Sequence, residues 1–360
     1  MPDIVTTAKN EYAICLNYAG QPPIPWDLYG PAPNDAPDYF RRVFLAMEQH
    51  LSISNLQFYL TWKLEELPTT GSDVVAVVLG DEWSRIPAYV DDILITFKCY
   101  GTRPPLDLGV RPNQLNAMRL LKQVRTLAHF LPGWVSSTAR RTTGALRGQQ
   151  ASPIHSIPLG YGNQLDLPIR PMTERSIDVF FAGSVEHGHD QGLKQWIESP
   201  KTLSRQQMLN NLDELASGRP DLRVALSTPT TFAWNAIHYG QDAGAQVLDA
   251  ESYSAKMMDS KICLVPRGTS LETFRYFEAL RYGCVLITEQ LPQRWFYNNS
   301  PAFQVESWSE LPNLIDRLVS NPGLLHQKHR EALDYWQNVC SPERAGHFMA
   351  ERIQEAVSHR

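Results

Sequence analysis

The sequence predicts an α/β protein made of two doubly wound, Rossmann-like domains, and three observations carry that expectation. The stretch Lys261–Thr288, KICLVPRGTSLETFRYFEALRYGCVLIT, reads as strand, glycine-bearing loop, helix, glycine and strand, which is a βαβ unit. Two apolar runs, Asp73–Leu79 (DVVAVVL) and Ile177–Ala182 (IDVFFA), are near-continuous rather than alternating, as strands buried on both faces are. A chain of 360 residues is long enough for two domains with a substantial core.

Composition sets the outer limits. Hydrophobic residues make up 43% and charged residues 20%, ordinary values for a soluble globular protein. A net charge of −5 argues against holding nucleic acid through overall charge. The five cysteines form no C-x-x-C pair, which suits buried thiols and speaks against a disulfide framework or a zinc site. No signal peptide opens the chain and no apolar run approaches a membrane span, so a cytoplasmic protein without a transmembrane segment is expected.

In chain order, Tyr12–Tyr18 is a plausible first strand. Gln21–Asp38 is too rich in proline for a regular helix; Trp26 and Tyr29 within it could stack on a ring-shaped ligand, or Trp26 could pack on the body. Tyr39–His50 has Phe40, Val43, Phe44 and Met47 at helical spacing. Asp73–Leu79 ends in Gly80-Asp81-Glu82-Trp83, and acids just beyond the carboxyl end of a central parallel strand point into the ligand crevice. Asp81 and Glu82 are therefore candidate general bases, or equally a helix cap with a first-turn acid. Ile93–Cys99 is the next strand. Asn113–Phe130 reads as a helix with Leu115, Met118, Leu121, Val124 and Leu127 in its periodic positions. Arg119, Lys122 and Arg125 give it a basic outer face that, with Arg140, Arg141 and Arg147, could meet an anionic acceptor, a membrane surface or only solvent. His155 precedes the strand-like run Ser156–Leu159.

The aperiodic segment Asn163–Ser176 marks a boundary, giving domains over 1–165 and 166–335 and a helical segment over 336–360 that packs back toward the first. Ile177–Ala182 opens a fresh sheet, and Gly183-Ser184 is a turn whose backbone could approach a phosphate. His187 and His189 lack further ligands in register, so no metal is expected. Arg205–Ala216 and Tyr253–Asp259 read as helices, and Leu222–Ser227 as a strand; Lys256 lies on the second of those helices. In the Lys261–Thr288 unit, Glu278 falls close to the apolar side of its helix, and Arg275 is its i−3 neighbour. An acid so placed needs a partner or a ligand. It could pair with Arg275 or Arg281, or anchor a ligand carrying hydroxyls and phosphates, with Arg267 and Arg275 facing the phosphates. Glu289, beyond the following strand, faces either such a ligand or solvent. Phe303–Val305 is a short edge strand, and Leu311–Leu318, His326–Val339 and Pro342–His359 read as helices.

The order Cys263-Leu264-x-Pro266-x-Gly268, Thr273-x-Arg275-x-Phe277-Glu278-Ala279, Gly283-Cys284-Val285 resembles the C-terminal signature of exostosin-like glycosyltransferases. The likeness is specific over roughly 30 residues and weak in the N-terminal half. It implies the GT-B architecture, two Rossmann-like domains facing a central cleft, with the C-terminal one holding a nucleotide-sugar donor. It also implies inversion at the anomeric carbon, no cofactor and no metal, a UDP- or GDP-linked donor, and a glycan or other hydroxyl acceptor. On that reading Glu278 bonds the ribose, while Gly183, Ser184, Arg267, Thr273 and Arg275 meet the diphosphate. Asp81 or Glu82 is the base. The alternatives are a retaining transferase on the same scaffold and a non-catalytic protein that binds nucleotides or glycans.

Overall fold

The computed structural model describes residues 8–16, 21–31, 33, 37–102, 117–146, 148, 151–162, 165–185, 200–229 and 248–359, with the backbone alone at 117–123, 125, 126, 129 and 130. The expected loop histidines 187 and 189 and the start of the Asn113 helix lie outside these residues. Two compact units are present. Residues 1–106, 123–160 and 339–360 form the first, and residues 107–122 and 161–338 the second.

The first unit contains β1 (Glu11–Cys15), β2 (Ile24–Pro25), α1 (Asp38–His50), β3 (Gln57–Thr61), β4 (Gly71–Val78), β5 (Ile93–Lys98), most of α2 (Ala117–Leu146) and β6 (Ile154–Ser156). The sheet order is β2-β1-β3-β4-β5-β6. Only β2 runs antiparallel; the other neighbours pair in parallel. In β4, Val74 to Val78 are all buried, as a central parallel strand requires. One face carries Val74, Ala76 and Val78 against Cys15, Tyr59, Leu64 and Tyr89. Trp26 is buried edge-on to Phe44, so it packs on the body, while Tyr29 is exposed.

Three sequence expectations change here. Gln57–Thr61 is a strand between β1 and β4 that periodicity did not mark. The helix expected to close at Phe130 runs on to Leu146, through Pro132. Val124, expected on its core-facing side, is 53% exposed.

The second unit contains β7 (Ile177–Ala182), α3 (Pro200–Gly218), β8 (Val224–Ser227), α4 (Ala250–Met258), β9 (Ser260–Val265), α5 (Phe274–Arg281), β10 (Val285–Glu289), β11 (Phe303–Val305), α6 (Leu311–Val319) and α7 (Pro322–Tyr335). Its sheet is fully parallel, in the order β11-β10-β9-β7-β8. The chain steps outward from β7 to β8, then crosses back to place β9 on the other side of β7. Strand order therefore reverses between β7 and β9, and such a reversal opens a crevice at the carboxyl ends of those two strands. Ile262 and Leu264 of β9 and Val285 and Ile287 of β10 share one core with Val179, Phe181, Met208, Leu212 and Trp308.

The end of α5 shows how the sequence sets the chain path. Gly283 takes a left-handed φ of 67° after the cap residue Tyr282. Its N–H donates to Leu280 O at 2.9 Å, and Cys284 N–H donates to Ala279 O at 2.9 Å, which together form a Schellman closure. A Cβ at this position would fall 2.6 Å from His329 Nδ1, so both conformation and space call for glycine. Arg175, buried, donates to Ser260 O at 2.7 Å and to Tyr282 O, placing its charge at the negative end of α5.

The last helix, α8 (Pro342–Ser358), belongs to the first unit. Ser341 caps it, its Oγ accepting from Arg344 N–H. It lies along α1, where Tyr39 OH donates to Cys340 O at 2.9 Å. Gly346 sets the approach: a Cβ there would be 2.5 Å from Val43 O and 2.7 Å from Met47 N. Both obstacles are backbone, so the helices themselves must move apart to accept a side chain. Gly346→Ala is expected to lower the unfolding free energy by about 2 kcal/mol, read from urea denaturation. An unchanged midpoint and slope would show that α1 and α8 are not held at this distance.

Candidate functional site

The loops at the β7–β9 reversal bring together the residues expected around a diphosphate. Gly183 and Ser184 follow β7, Arg267 follows β9, and Thr273 and Arg275 open α5. Arg275 donates through Nη2 to Ala182 O, and its guanidinium lies 4.8 Å from the centre of the Phe181 ring. A Cβ on Gly183 would sit 2.4 Å from Arg275 Nη2, so the bare backbone of this turn is what admits the arginine. Arg205, from α3, was not singled out in the sequence. Its side chain is buried and joins the two loops, donating through Nε to Arg267 O at 3.0 Å and through Nη1 to Ser184 O. Lys201 Nζ donates to Ser184 Oγ at 2.9 Å.

Two groups in this cluster are left without protein partners. Arg275 Nε and Nη1 are buried with no hydrogen bond among the described residues. Thr273 occupies the N-cap of α5 in extended conformation, yet its side chain makes no capping bond and Oγ1 is buried and unbonded. A buried donor without an acceptor costs about 1–3 kcal/mol, more when it is charged. A Thr and an Arg two residues apart, both short of acceptors at a helix N-terminus, form a pattern an anion would complete.

Glu278 points elsewhere. Its Oε1 accepts Gly162 N–H at 3.2 Å and its Oε2 accepts Tyr253 OH at 2.6 Å, and the residue is 5% exposed. Burial raises the carboxyl above its ordinary range, against the lowering effects of Tyr253, Gly162 and Arg275. Burial likewise pushes the Tyr253 phenol up, so it stays protonated and donates. Of the alternatives open for Glu278, a pair with Arg275 does not form; the arginine turns to the end of β7 and the acid to residues 162 and 253. Arg281 pairs with Asp166 and lies over the Tyr161 ring at 3.9 Å.

Other singled-out residues fall as follows. Glu289 faces neither solvent alone nor an empty groove, since its Oε2 accepts Arg267 N–H at 2.8 Å and Ser204 Oγ–H at 2.7 Å. Lys256 is exposed in the last turn of α4. His155 lies within β6 rather than before a strand. It is half-buried between the Phe97 and Phe348 rings, beside a cavity of about 230 Å³ that Arg352 and Glu355 also line. Burial, then Arg352, lowers its pKa, so it is neutral at pH 7.

In the first unit, Asp81 and Glu82 follow β4 but differ in their surroundings. The Asp81 side chain is 1% exposed and its Oδ2 lies 3.2 Å from Lys98 Nζ, which is itself fully buried. Arg85 Nε donates to its Oδ1 at 2.8 Å. Asp81 has φ 76°, and Ser84 and Tyr100 nearby have φ 57° and 60°. Ser84 Oγ–H donates to Tyr100 O at 3.0 Å, tying the two loops together. Asp81 is thus an ion-pair partner inside a strained turn. Glu82 is partly exposed in the same turn. Among the described residues, no group of three or more His, Cys, Asp or Glu is placed to hold a metal ion, and no helix is long and apolar enough to cross a membrane.

No family model and no curated protein matches this sequence. Solved structures with a similar fold include a sucrose-phosphate synthase from Thermosynechococcus elongatus, at 13% identity and TM-score 0.44, covering 90% of this chain and 94% of that one. A GtfA/B complex aligns at 10% identity and TM-score 0.42 over 80% of this chain, which spans 58% of the length of that one. An alpha-glucosyltransferase in complex with UDP and a 13-mer DNA aligns at 11% identity and TM-score 0.39, covering 88% of this chain and 96% of that one. At this level of likeness no activity is assigned.

Two outcomes test the geometry. Removing one member of a buried ion pair strands the other charge, so Asp81→Asn is expected to cost about 3 kcal/mol of stability, whereas Glu82→Gln is expected to leave urea unfolding unchanged. Equal midpoints for both variants would contradict the buried Asp81–Lys98 pair. Glu278 gives a pH signature. The folded state raises its pKa above 4.5, so it holds a proton that the unfolded chain has lost. Its contribution is therefore fully present below pH 4.5 and fades as pH rises through the higher folded value. The stability of wild type relative to Glu278→Gln should fall with rising pH across that window, in paired thermal melts; a flat difference would mean the acid is not desolvated.

Proposed function

We propose that the protein is a glycosyltransferase of GT-B type, resembling the exostosin-like enzymes, which moves a sugar from a UDP- or GDP-linked donor to a hydroxyl of a glycan or other acceptor. The observation that carries this reading is Arg275, half-buried at the β7–β9 reversal against Gly183, with its Nε and Nη1 atoms enclosed and unsatisfied. A guanidinium in such a place is suited to a diphosphate, which offers several oxygens and a delocalised charge. Thr273 Oγ1 adds a hydroxyl at the same helix end, and Ser184 and Arg267 border it.

In the proposed reaction the acceptor oxygen forms a bond to the anomeric carbon as the bond from that carbon to the diphosphate breaks, with inversion. The nucleoside diphosphate leaves carrying additional negative charge, and the arginines stabilise that charge without a metal ion. The acceptor proton passes to a carboxylate. Asp81 is engaged by Lys98 and Arg85, so Glu82 takes that role in the proposal and Asp81 holds the turn. Glu278 is assigned to the ribose side, where it also fixes Tyr253 and the backbone at Gly162.

Titration calorimetry with UDP and GDP is the direct test. One of them should bind the wild type, and Arg275→Ala should weaken it by about 10- to 100-fold, the value of a charge-assisted contact to phosphate. Nucleotide-sugar hydrolysis across a donor panel should then be slow in wild type and lost in the same variant. Absence of nucleotide binding would overturn the proposal, and binding without any hydrolysis or transfer would leave a nucleotide-binding protein that is not an enzyme.

A further inference from the structure

A cavity in the first unit plays no part in the proposed transfer reaction. It lies between α8 and the segment that enters β6, and it measures about 230 Å³. Ala151, Pro153 and His155 line it from the β6 side, and Arg352, Glu355 and Ala356 from α8. Ser152, buried beside it, donates through Oγ to Ile93 O at 2.6 Å, and Ile93 opens β5. The cavity therefore sits toward the amino ends of these strands, whereas Glu82 follows the carboxyl end of β4. Its volume equals about eight waters at liquid density and falls short of the roughly 300 Å³ at which pockets begin to enclose drug-sized molecules. A nucleotide does not fit; a single six-membered ring with its substituents does.

The polar lining is matched in charge. Arg352 Nη1 lies 2.7 Å from Glu355 Oε2, about one turn further along α8, so a donor and an acceptor stand side by side without net charge. His155 adds an imidazole that makes no hydrogen bond to another described residue and packs between the Phe97 and Phe348 rings. Neutral at pH 7, it presents one ring N–H and one bare ring nitrogen. A phosphate or carboxylate would meet the Glu355 charge and an ammonium the Arg352 charge, so neither ion is matched. Adjacent hydroxyls are matched: one accepts from the guanidinium, its neighbour donates to the carboxylate, and a third can take either role at the imidazole. Ala151, Pro153 and Ala356 supply an apolar wall for C–H groups. Hydroxyls along the edge and C–H groups on a face describe a pyranose ring. We propose that this cavity is a non-catalytic subsite for one neutral sugar residue, held by Arg352, Glu355 and His155.

The test follows the His155 imidazole by NMR in the full-length protein labelled at histidine, its resonance identified as the one of ten lost in His155→Gln. Glucose, galactose, mannose and N-acetylglucosamine are titrated separately, with sodium phosphate as an anionic control. At least one sugar should shift that resonance saturably, with a Kd of about 1 mM, and phosphate should not. Arg352→Met keeps the aliphatic stem, removes the donors and should weaken binding at least about 10-fold. Glu355→Gln should also weaken it, from the acceptor side, so the result does not depend on one variant. Both side chains are partly exposed, so urea midpoints should stay close to wild type. UDP and GDP titrations should be unchanged in either variant, which separates this subsite from the transferase reading: sugar binding can fail while nucleotide binds, or the reverse. No shift with any of the four sugars, a shift with phosphate alone, or unchanged sugar affinity in both variants would each overturn the assignment.

Discussion

A half-buried charged group, two of whose nitrogens the protein encloses without satisfying, governs the second unit. Arg275 gives one N–H to the last carbonyl of β7 and stacks on Phe181, but Nε and Nη1 have no acceptor. Nothing in packing alone calls for that. An aliphatic side chain would fill the same space without the desolvation cost, and buried charges are commonly neutral or unfavourable for stability compared with such replacements. The neighbouring residues nonetheless accommodate it: Gly183 removes the one Cβ that would block it, and Arg205 braces the two loops on either side through backbone carbonyls. The reversal between β7 and β9 supplies the opening, because the connections from these two strands leave in opposite directions.

The first unit handles charge in the opposite way. Lys98, a fully buried lysine in a parallel strand, is matched by Asp81, whose left-handed φ lets its carboxylate turn back toward the strand end. Left-handed conformations cost a non-glycine residue about 1–2 kcal/mol each, and Asp81, Ser84 and Tyr100 carry three of them at one edge of the sheet. The ion pair and the Ser84–Tyr100 bond hold that strain in place. Glu82, the next residue after Asp81, is partly exposed in the turn that these contacts hold.

How far these arrangements were legible in the sequence depended on the range of the interactions. Local signals read well: Ile177–Ala182 and Phe303–Val305 have the bounds that their apolar runs suggest, and Gly283 stands where a helix must end. The 100° spacing also placed Glu278 near the buried side of its helix. What spacing could not supply was the partner. Tyr253 and Gly162 lie 25 and 116 residues away, so the sequence offered only a neighbouring arginine or a ligand as partners for the acid. Gln57–Thr61 escaped notice because its apolar run, Phe58-Tyr59-Leu60, is shorter than the roughly four residues that mark a buried strand, although β1 and β4 flank it on both sides. Arg205 was read as the start of a helix, and only the fold shows it between two loops.

The α2 helix shows a different limit, since its periodicity is real but points the wrong way. Residues such as Val124 recur at helical intervals, and an apolar stripe is normally evidence of a core-facing side. Periodicity identifies which residues share a face; it does not say whether that face meets protein, lipid or water. The deciding information sits on the opposite side of the helix. Ser137 is fully enclosed, and Arg140 and Arg141 use their donors on backbone carbonyls of the same unit. Once polar groups have taken the inward side, the apolar side has only the exterior left. A stripe of that kind costs solubility unless something covers it.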